Sequence, residues 1–256
     1  MTLLKNKIVF ITGASSGIGA ACAVHFAKAG ANLLLCARRI ELLKPFAAQL
    51  QKEHHIDVYA FQLDVRQRTE VSSALNALPA SWKKIDVLIN NAGLAAGLDP
   101  FQEGNIEDWE EMIDTNVKGL LYMTRAILPQ MIERNSGHII NIGSIAGHET
   151  YPKGAVYCAT KQAVNVLSKG LRMDLFGTKI RVSSVDPGAV ETNFSVVRFK
   201  GDTEKAKTVY KGFEPLTADD IADAVLYCAT RPLHVNVNEI ILLPTDQASA
   251  TQIARK

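Results

Sequence analysis

The chain has 256 residues, of which 47% are hydrophobic and 21% charged, a composition that can bury a core and excludes a disordered chain. The formal net charge is +2 and no long run of one sign occurs, so neither nucleic acid nor a membrane surface is favoured as a partner. Cys22, Cys36, Cys158 and Cys228 form no Cys-x-x-Cys pair and no apolar stretch is long enough to span a bilayer, which points to a reducing, cytoplasmic setting.

The N-terminus, Met1 to Lys7, leads into an apolar run at 8–11 that is too short for a signal-peptide core. That run reads as a first strand. It ends in Thr12-Gly13-Ala14-Ser15-Ser16-Gly17-Ile18-Gly19, and a helix is expected at once over 17–28. A strand, a glycine turn and a helix N-terminus together suit a pyrophosphate, because the backbone approaches closely and free N–H groups point at the anion. The same turn without a ligand is the plain alternative. It lacks the Lys of a triphosphate-binding loop.

A second strand at 32–36 runs into Cys36-Ala37-Arg38-Arg39 and a helix over 39–52. An acid at this corner would bind a ribose 2′-hydroxyl; two cations suit a 2′-phosphate instead, unless they only begin a solvated helix. A third strand at 58–62 precedes Leu63-Asp64-Val65 and a helix over 66–78. A fourth at 87–89 precedes Asn90-Asn91-Ala92-Gly93. One long helix is expected over 106–134, containing Asn116. A fifth strand at 138–142 ends at Gly143-Ser144. The glycine that a nucleophile elbow needs two places before the serine is Ile142, which disfavours a serine hydrolase.

A helix over 155–176 carries Tyr157 and Lys161 on one face. An ammonium near a phenol favours the phenolate, so the pair suits general acid–base work near neutrality. Alone, Tyr-x-x-x-Lys is a weak signal. Strands at 181–185 and 239–243 flank a stretch at 191–211 that lacks a clear period and reads as a substrate lid. Thr217-Ala-Asp-Asp resembles a capped start of a helix over 217–229. Strand and helix alternate from end to end, which predicts one domain over 1–256: an α/β, doubly wound, largely parallel Rossmann-type sheet of about seven strands.

These motifs, in this order, resemble the short-chain dehydrogenase/reductase family. The resemblance covers nearly the whole chain and implies an NADP(H)-dependent oxidoreductase. It implies Asn116, Ser144, Tyr157 and Lys161 as the catalytic set: Tyr157 passing the proton, Lys161 lowering its pKa and binding the nicotinamide ribose, Ser144 polarising the substrate oxygen, and Asn116 holding a water in a proton relay. The cofactor would lie on Gly13, Ser15, Ser16, Gly17, Ile18 and Gly19. Arg38 and Arg39 would take the 2′-phosphate. Asp64 and Val65 would meet the adenine, and Asn90 and Gly93 would form a wall. Pro187, Gly188, Val190 and Thr192 would meet the nicotinamide end, together with Tyr157 and Lys161.

The stretches Ile113-Asp-Thr-Asn-Val-Lys-Gly119, Gly137-His-Ile-Ile-Asn-Ile-Gly143, Val197-Arg-Phe-Lys-Gly-Asp202 and His234-Val-Asn-Val-Asn238 resemble the NADP-dependent 3-hydroxy acid dehydrogenase subgroup. That implies short 3-hydroxy acids such as serine, L-allo-threonine or 3-hydroxypropanoate. Alternatives are a broad carbonyl or 3-oxoacyl reductase of the same family, and a non-catalytic dinucleotide sensor. A carboxylate substrate wants a cation; Arg198 is the candidate, with Lys153 and Lys200 as rivals, beside Ser144 and Tyr157. No metal site is expected: His54-His55 lacks a third ligand at a sensible spacing. The two long helices carry more apolar residues than one face can bury, and the family pattern implies a homotetramer with closed symmetry.

Overall fold

The computed structural model describes residues 4–256; Met1 to Leu3, where the N-terminal stretch read above begins, lie outside them. The apolar runs form β1 (Ile8–Thr12), β2 (Asn32–Ala37), β3 (Val58–Gln62), β4 (Val87–Asn90), β5 (Gly137–Ile142), β6 (Ile180–Pro187) and β7 (Glu239–Leu242). All pair in parallel, in the order β3-β2-β1-β4-β5-β6-β7. Every residue of β1, β4 and β6 is buried. Helices cover both faces there, so no solvent side imposes polar alternation. The edge strand β7 alternates exposed and half-buried residues instead.

The intervening helices are α1 (Gly17–Lys28), α2 (Ile40–His54), α3 (Arg68–Asn76), α4 (Ile106–Ile113), α5 (Leu120–Glu133), α6 (Ala155–Asp174), α7 (Phe194–Arg198), α8 (Thr203–Thr208) and α9 (Ala218–Thr230). The pleat divides the core in two. On one face, Phe26, Leu43 and Val225 pack on Val9, Ile11, Leu33 and Leu35. On the other, Val71, Met123 and Ile127 pack on Phe10, Leu34, Leu88 and Val182. Each such fully buried side chain contributes about 1.5–3 kcal/mol relative to exposure.

One expectation is corrected. The helix over 106–134 is not one α-helix: α4 and α5 are joined by a π-helical turn, Asp114–Gly119. The extra residue in that turn shifts the phase of the side chains that follow. The aperiodic stretch at 191–211 contains α7 and α8, too short to display a period. Thr217 does cap α9, and with Asp220 it completes a reciprocal capping box. Among the described residues no helix is long and apolar enough to cross a membrane.

Strand order reverses between β1 and β4. In doubly wound sheets ligands bind outside the carboxyl ends of the strands at such a switch point, and the large cavity lies there.

Candidate active site

A cavity of about 510 Å³ runs from the turn after β1, across the ends of β4 and β5, to α7. Its first wall is the glycine turn. Gly13 and Gly17 have φ of +66° and +56°, in the left-handed region that glycine adopts without strain. A Cβ on Gly13 would lie 3.0 Å from the Ala92 Cα. The Thr12 hydroxyl accepts hydrogen bonds from the Asn91 and Ala92 backbone N–H groups at 3.0 and 2.9 Å, and the Asn91 amide donates to the Thr12 carbonyl at 2.8 Å. The phosphate-type turn is thereby tied to the end of β4.

Gly13, Ser15, Ser16, Gly17 and Ile18 line the cavity. Gly19 does not: it is buried beneath the turn, where a Cβ would overlap the Gly13 carbonyl. The absence of a Cβ lets the helix close on the turn. Arg38 and Arg39 both line the cavity, and they differ. The Arg39 guanidinium donates to the Ser16 hydroxyl at 3.0 Å and lies 3.5 Å from that of Ser15. Arg38 donates to Glu111 at 3.3 Å.

Asp64 and Val65 lie in the wall beside them. Burial works against the Asp64 carboxylate, but the hydrogen bonds and charge of Arg66 outweigh it and hold the carboxyl below its usual value. Gly93 lines the cavity; Asn90 does not. The Asn90 side chain is buried and donates to Thr124 at 3.0 Å and Asn141 at 2.9 Å. Successive side chains of a strand face opposite ways, so the neighbouring Asn91 takes the wall and Asn90 ties β4 to β5 and α5. Pro187, Gly188, Val190 and Thr192 line the far side.

Ser144, Tyr157 and Lys161 converge on the cavity. Ser144 lies two residues beyond β5, and its hydroxyl accepts from the Ala146 N–H at 3.1 Å. The buried Lys161 Nζ donates to the Ile142 carbonyl at 2.8 Å. Burial lowers its pKa to about 8, with Asp186 pulling the other way. Burial, with the Tyr151 phenol adding to it, pushes the Tyr157 phenol above its ordinary value; Arg198 and the Ser144 hydroxyl draw it back down. The expectation assigned that lowering to Lys161. Here the groups that lower it are Arg198 and Ser144, and the Lys161 Nζ donates to a backbone carbonyl.

Asn116, in the π turn, lies behind the wall and not in it. Its amide donates to the Leu94 carbonyl at 2.8 Å and to Thr160 at 3.0 Å, and its oxygen accepts from the Leu94 N–H at 2.9 Å. A Cβ on Gly93 would lie 3.2 Å from that oxygen and 3.6 Å from Lys161 Nζ. The side chain expected to hold a water is engaged by protein partners and braces the Leu94 backbone against α6.

Arg198 closes the reacting end. Its guanidinium carbon lies 5.1 Å from the Tyr157 ring centroid, 5.4 Å from that of Phe194 and 5.9 Å from that of Tyr151. Nη2 donates to the Tyr151 hydroxyl at 2.8 Å. Nε is buried and has no hydrogen-bond partner among the described residues. The rival cations sit elsewhere: Lys200 pairs with Asp108 at 2.9 Å, and Lys153 lines a smaller adjoining pocket. Tyr151, Phe194, Gln247, Ala250 and Ile253 also line the cavity and were not anticipated. They come from a loop, the short helix α7 and the C-terminal segment, where no periodicity marks an inward side chain.

This arrangement of glycine turn, Tyr–Lys helix and switch-point cavity is matched in sequence. The profile of the short chain dehydrogenase family covers residues 7–202. The chain belongs to the short chain dehydrogenase family. It is 50% identical over 244 residues to a Salmonella typhi protein named NADP-dependent 3-hydroxy acid dehydrogenase YdfG, covering 95% of this chain and 97% of that one. A Chromohalobacter salexigens protein named sulfoacetaldehyde reductase 2 is 45% identical, covering 95% and 96%. A solved structure, the closed form of serine dehydrogenase complexed with NADP+, superposes with a TM-score of 0.91 at 47% identity, covering 97% of this chain and 99% of that one. Members of this family are oxidoreductases acting on CH–OH groups, and this chain is such an enzyme.

Proposed function

We propose that the enzyme transfers a hydride between NADP(H) and a short 3-hydroxy acid, or the corresponding 3-oxo product. The observation that carries the substrate class is Arg198: a partly buried cation with a free Nε, set against the Tyr157 ring. A small anionic head on that guanidinium brings the neighbouring carbon to Tyr157 and Ser144. The names of the relatives agree in kind, since a 3-hydroxy acid, serine and sulfoacetaldehyde each place an anionic group near the reacting carbon.

The residues fit NADP. The left-handed glycines leave room for a pyrophosphate, and Arg39, clustered with Ser15 and Ser16, offers charge-assisted donors to a 2′-phosphate. Arg38 reinforces that charge from the rim. When bound, the cofactor supplies the hydride acceptor or donor. Tyr157 takes the hydroxyl proton of the substrate during oxidation and returns it to the carbonyl oxygen during reduction. Ser144 donates to that oxygen. Lys161 holds the nicotinamide ribose and keeps a positive charge beside the reacting end.

Residues 191–211, with α7 and α8, act as the lid that brings Arg198 onto the substrate. Partly exposed apolar residues on α5 and α6, such as Leu121, Val166 and Met173, suit packing between copies in a homotetramer. Four buried, unpaired cysteines suit the cytoplasm. The test is a panel of L-serine, 3-hydroxypropanoate, sulfonate analogues and uncharged alcohols with NADP and NAD, read by nicotinamide absorbance. Turnover confined to anionic substrates with NADP supports this function. Equal turnover of uncharged alcohols means that Arg198 does not select the substrate.

A further inference from the structure

Behind the floor of the cavity lies a polar cluster that the reaction as described leaves unused. Asp186, at the end of β6, has a fully buried side chain. Ser184 donates to its Oδ1, and His148 Nε2 lies 2.6 Å from its Oδ2. The carboxylate packs against the backbone of Gly143, where a Cβ would overlap Asp186 Oδ1 and come within 3.1 Å of the Ser184 hydroxyl. The residue before Gly143 is Ile142, whose carbonyl receives the Lys161 ammonium at 2.8 Å. Burial raises the Asp186 carboxyl above its ordinary value, while the hydrogen bonds of Ser184 and His148 draw it back towards the ionised form; this carboxyl and the Lys161 ammonium meet two consecutive residues at the end of β5.

Other charged groups face the cluster from each packed element. Glu239 on β7 lies 3.8 Å from His148 Nε2. From α6, Arg172 acts on both Glu239 and Asp186, and the Asn165 amide lies 3.1 Å from His148. Arg172 spends two hydrogen bonds on the carbonyls of Val182 and Asn238. Asp186 is the one acid that acts against the desolvation of Lys161.

We propose that Asp186 is a positioning residue for Lys161: its carboxylate, fixed by Ser184 and His148 against Gly143, holds the Lys161 side chain in its ammonium form. The physical basis is simple. A buried amine loses its proton more readily as it is desolvated, and an anion nearby in the same low-dielectric region opposes that loss. A neutral side chain at 186 removes the opposition. Glycine at 143 is part of the device, since any side chain there would displace the carboxylate. The consequence for catalysis rests on the assignment of Lys161 made under Proposed function; the electrostatic claim does not.

The experiment is an NMR titration of cofactor-free protein labelled with 13C at the lysine ε-carbons. The Lys161 resonance is the one missing from Lys161→Arg. In the native protein its midpoint is expected at about 8. In Asp186→Asn the midpoint falls by about one pH unit. An unchanged or higher midpoint in folded Asp186→Asn overturns the proposal. If that variant does not fold, Asp186→Ala carries the same expectation and the same refutation, since it sets no amide donor against Ser184 and His148. The alkaline limb of the kcat/KM profile for carbonyl reduction is then read for its position alone. If the limb moves with the resonance, the role of Lys161 in turnover stands as well. If the resonance moves and the limb does not, Asp186 still governs Lys161, and it is the catalytic assignment of Lys161 that fails.

Discussion

Chemistry in this protein turns on what surrounds a few side chains. Tyr157 is buried under Phe194 and Arg198, and the general acid–base role requires its hydroxyl. Tyr157→Phe is expected to lower kcat by at least about 100-fold with the NADPH dissociation constant unchanged; near-native turnover would remove Tyr157 from the reaction. Arg198→Met keeps the aliphatic stem and loses the charge. The KM for a 3-hydroxy acid should rise by roughly tenfold or more, while that for an uncharged alcohol stays level. For Arg39→Ala, calorimetry should show NADPH binding about 10- to 100-fold weaker and NADH binding unaffected. At this scale the amino-acid order reveals types and spacings but not directions. Asn90 and Asn91 are adjacent, and only the pleat of β4 decides that Asn91 faces the cavity. Tyr151 reaches Arg198 from a loop with no period of its own, so the aromatic setting of Arg198 was not legible, although Arg198 itself was singled out by the charge a carboxylate needs.

Elements were the most legible level. All seven strands stand out as short apolar runs, most of them rich in Ile, Val and Leu, and the structure moves their ends by at most two residues. The break between α4 and α5 was invisible, because Asp114-Thr-Asn-Val-Lys-Gly119 is compatible with a helix and a π turn is specified by packing rather than composition. The start of α9 was readable, since Thr217 and Asp220 carry their own cap chemistry. Thr217→Ala should cost about 1 kcal/mol in urea unfolding at neutral pH. The Asp220 carboxyl is held below its usual value by hydrogen bonds from the Thr217 backbone and side chain. A depressed carboxyl contributes stability above its unfolded pKa of about 3.9 and loses it as pH falls through the folded value. The penalty of Thr217→Ala should therefore shrink on acidification below about pH 4; a penalty constant down to that range would mean the capping box adds nothing electrostatic.

For the whole molecule, the parallel sheet fixes where the site lies, and the reversal of strand order between β1 and β4 opens it. The apolar residues left on α5 and α6 lead to an expected tetramer by sedimentation equilibrium, and Val166→Asp should shift it to smaller species; a native monomer would contradict that assembly. Linking every level is the claim that Tyr157 exchanges a proton with an anionic hydroxy substrate held by Arg198 beside NADP. It is tested most directly by a crystal structure of the protein with NADP and 3-hydroxypropanoate. The Tyr157 Oη should lie about 2.6–3.2 Å from the substrate hydroxyl, with the carboxylate on Arg198. A bound substrate whose hydroxyl is out of reach of Tyr157, or whose carboxylate lies away from Arg198, would contradict it.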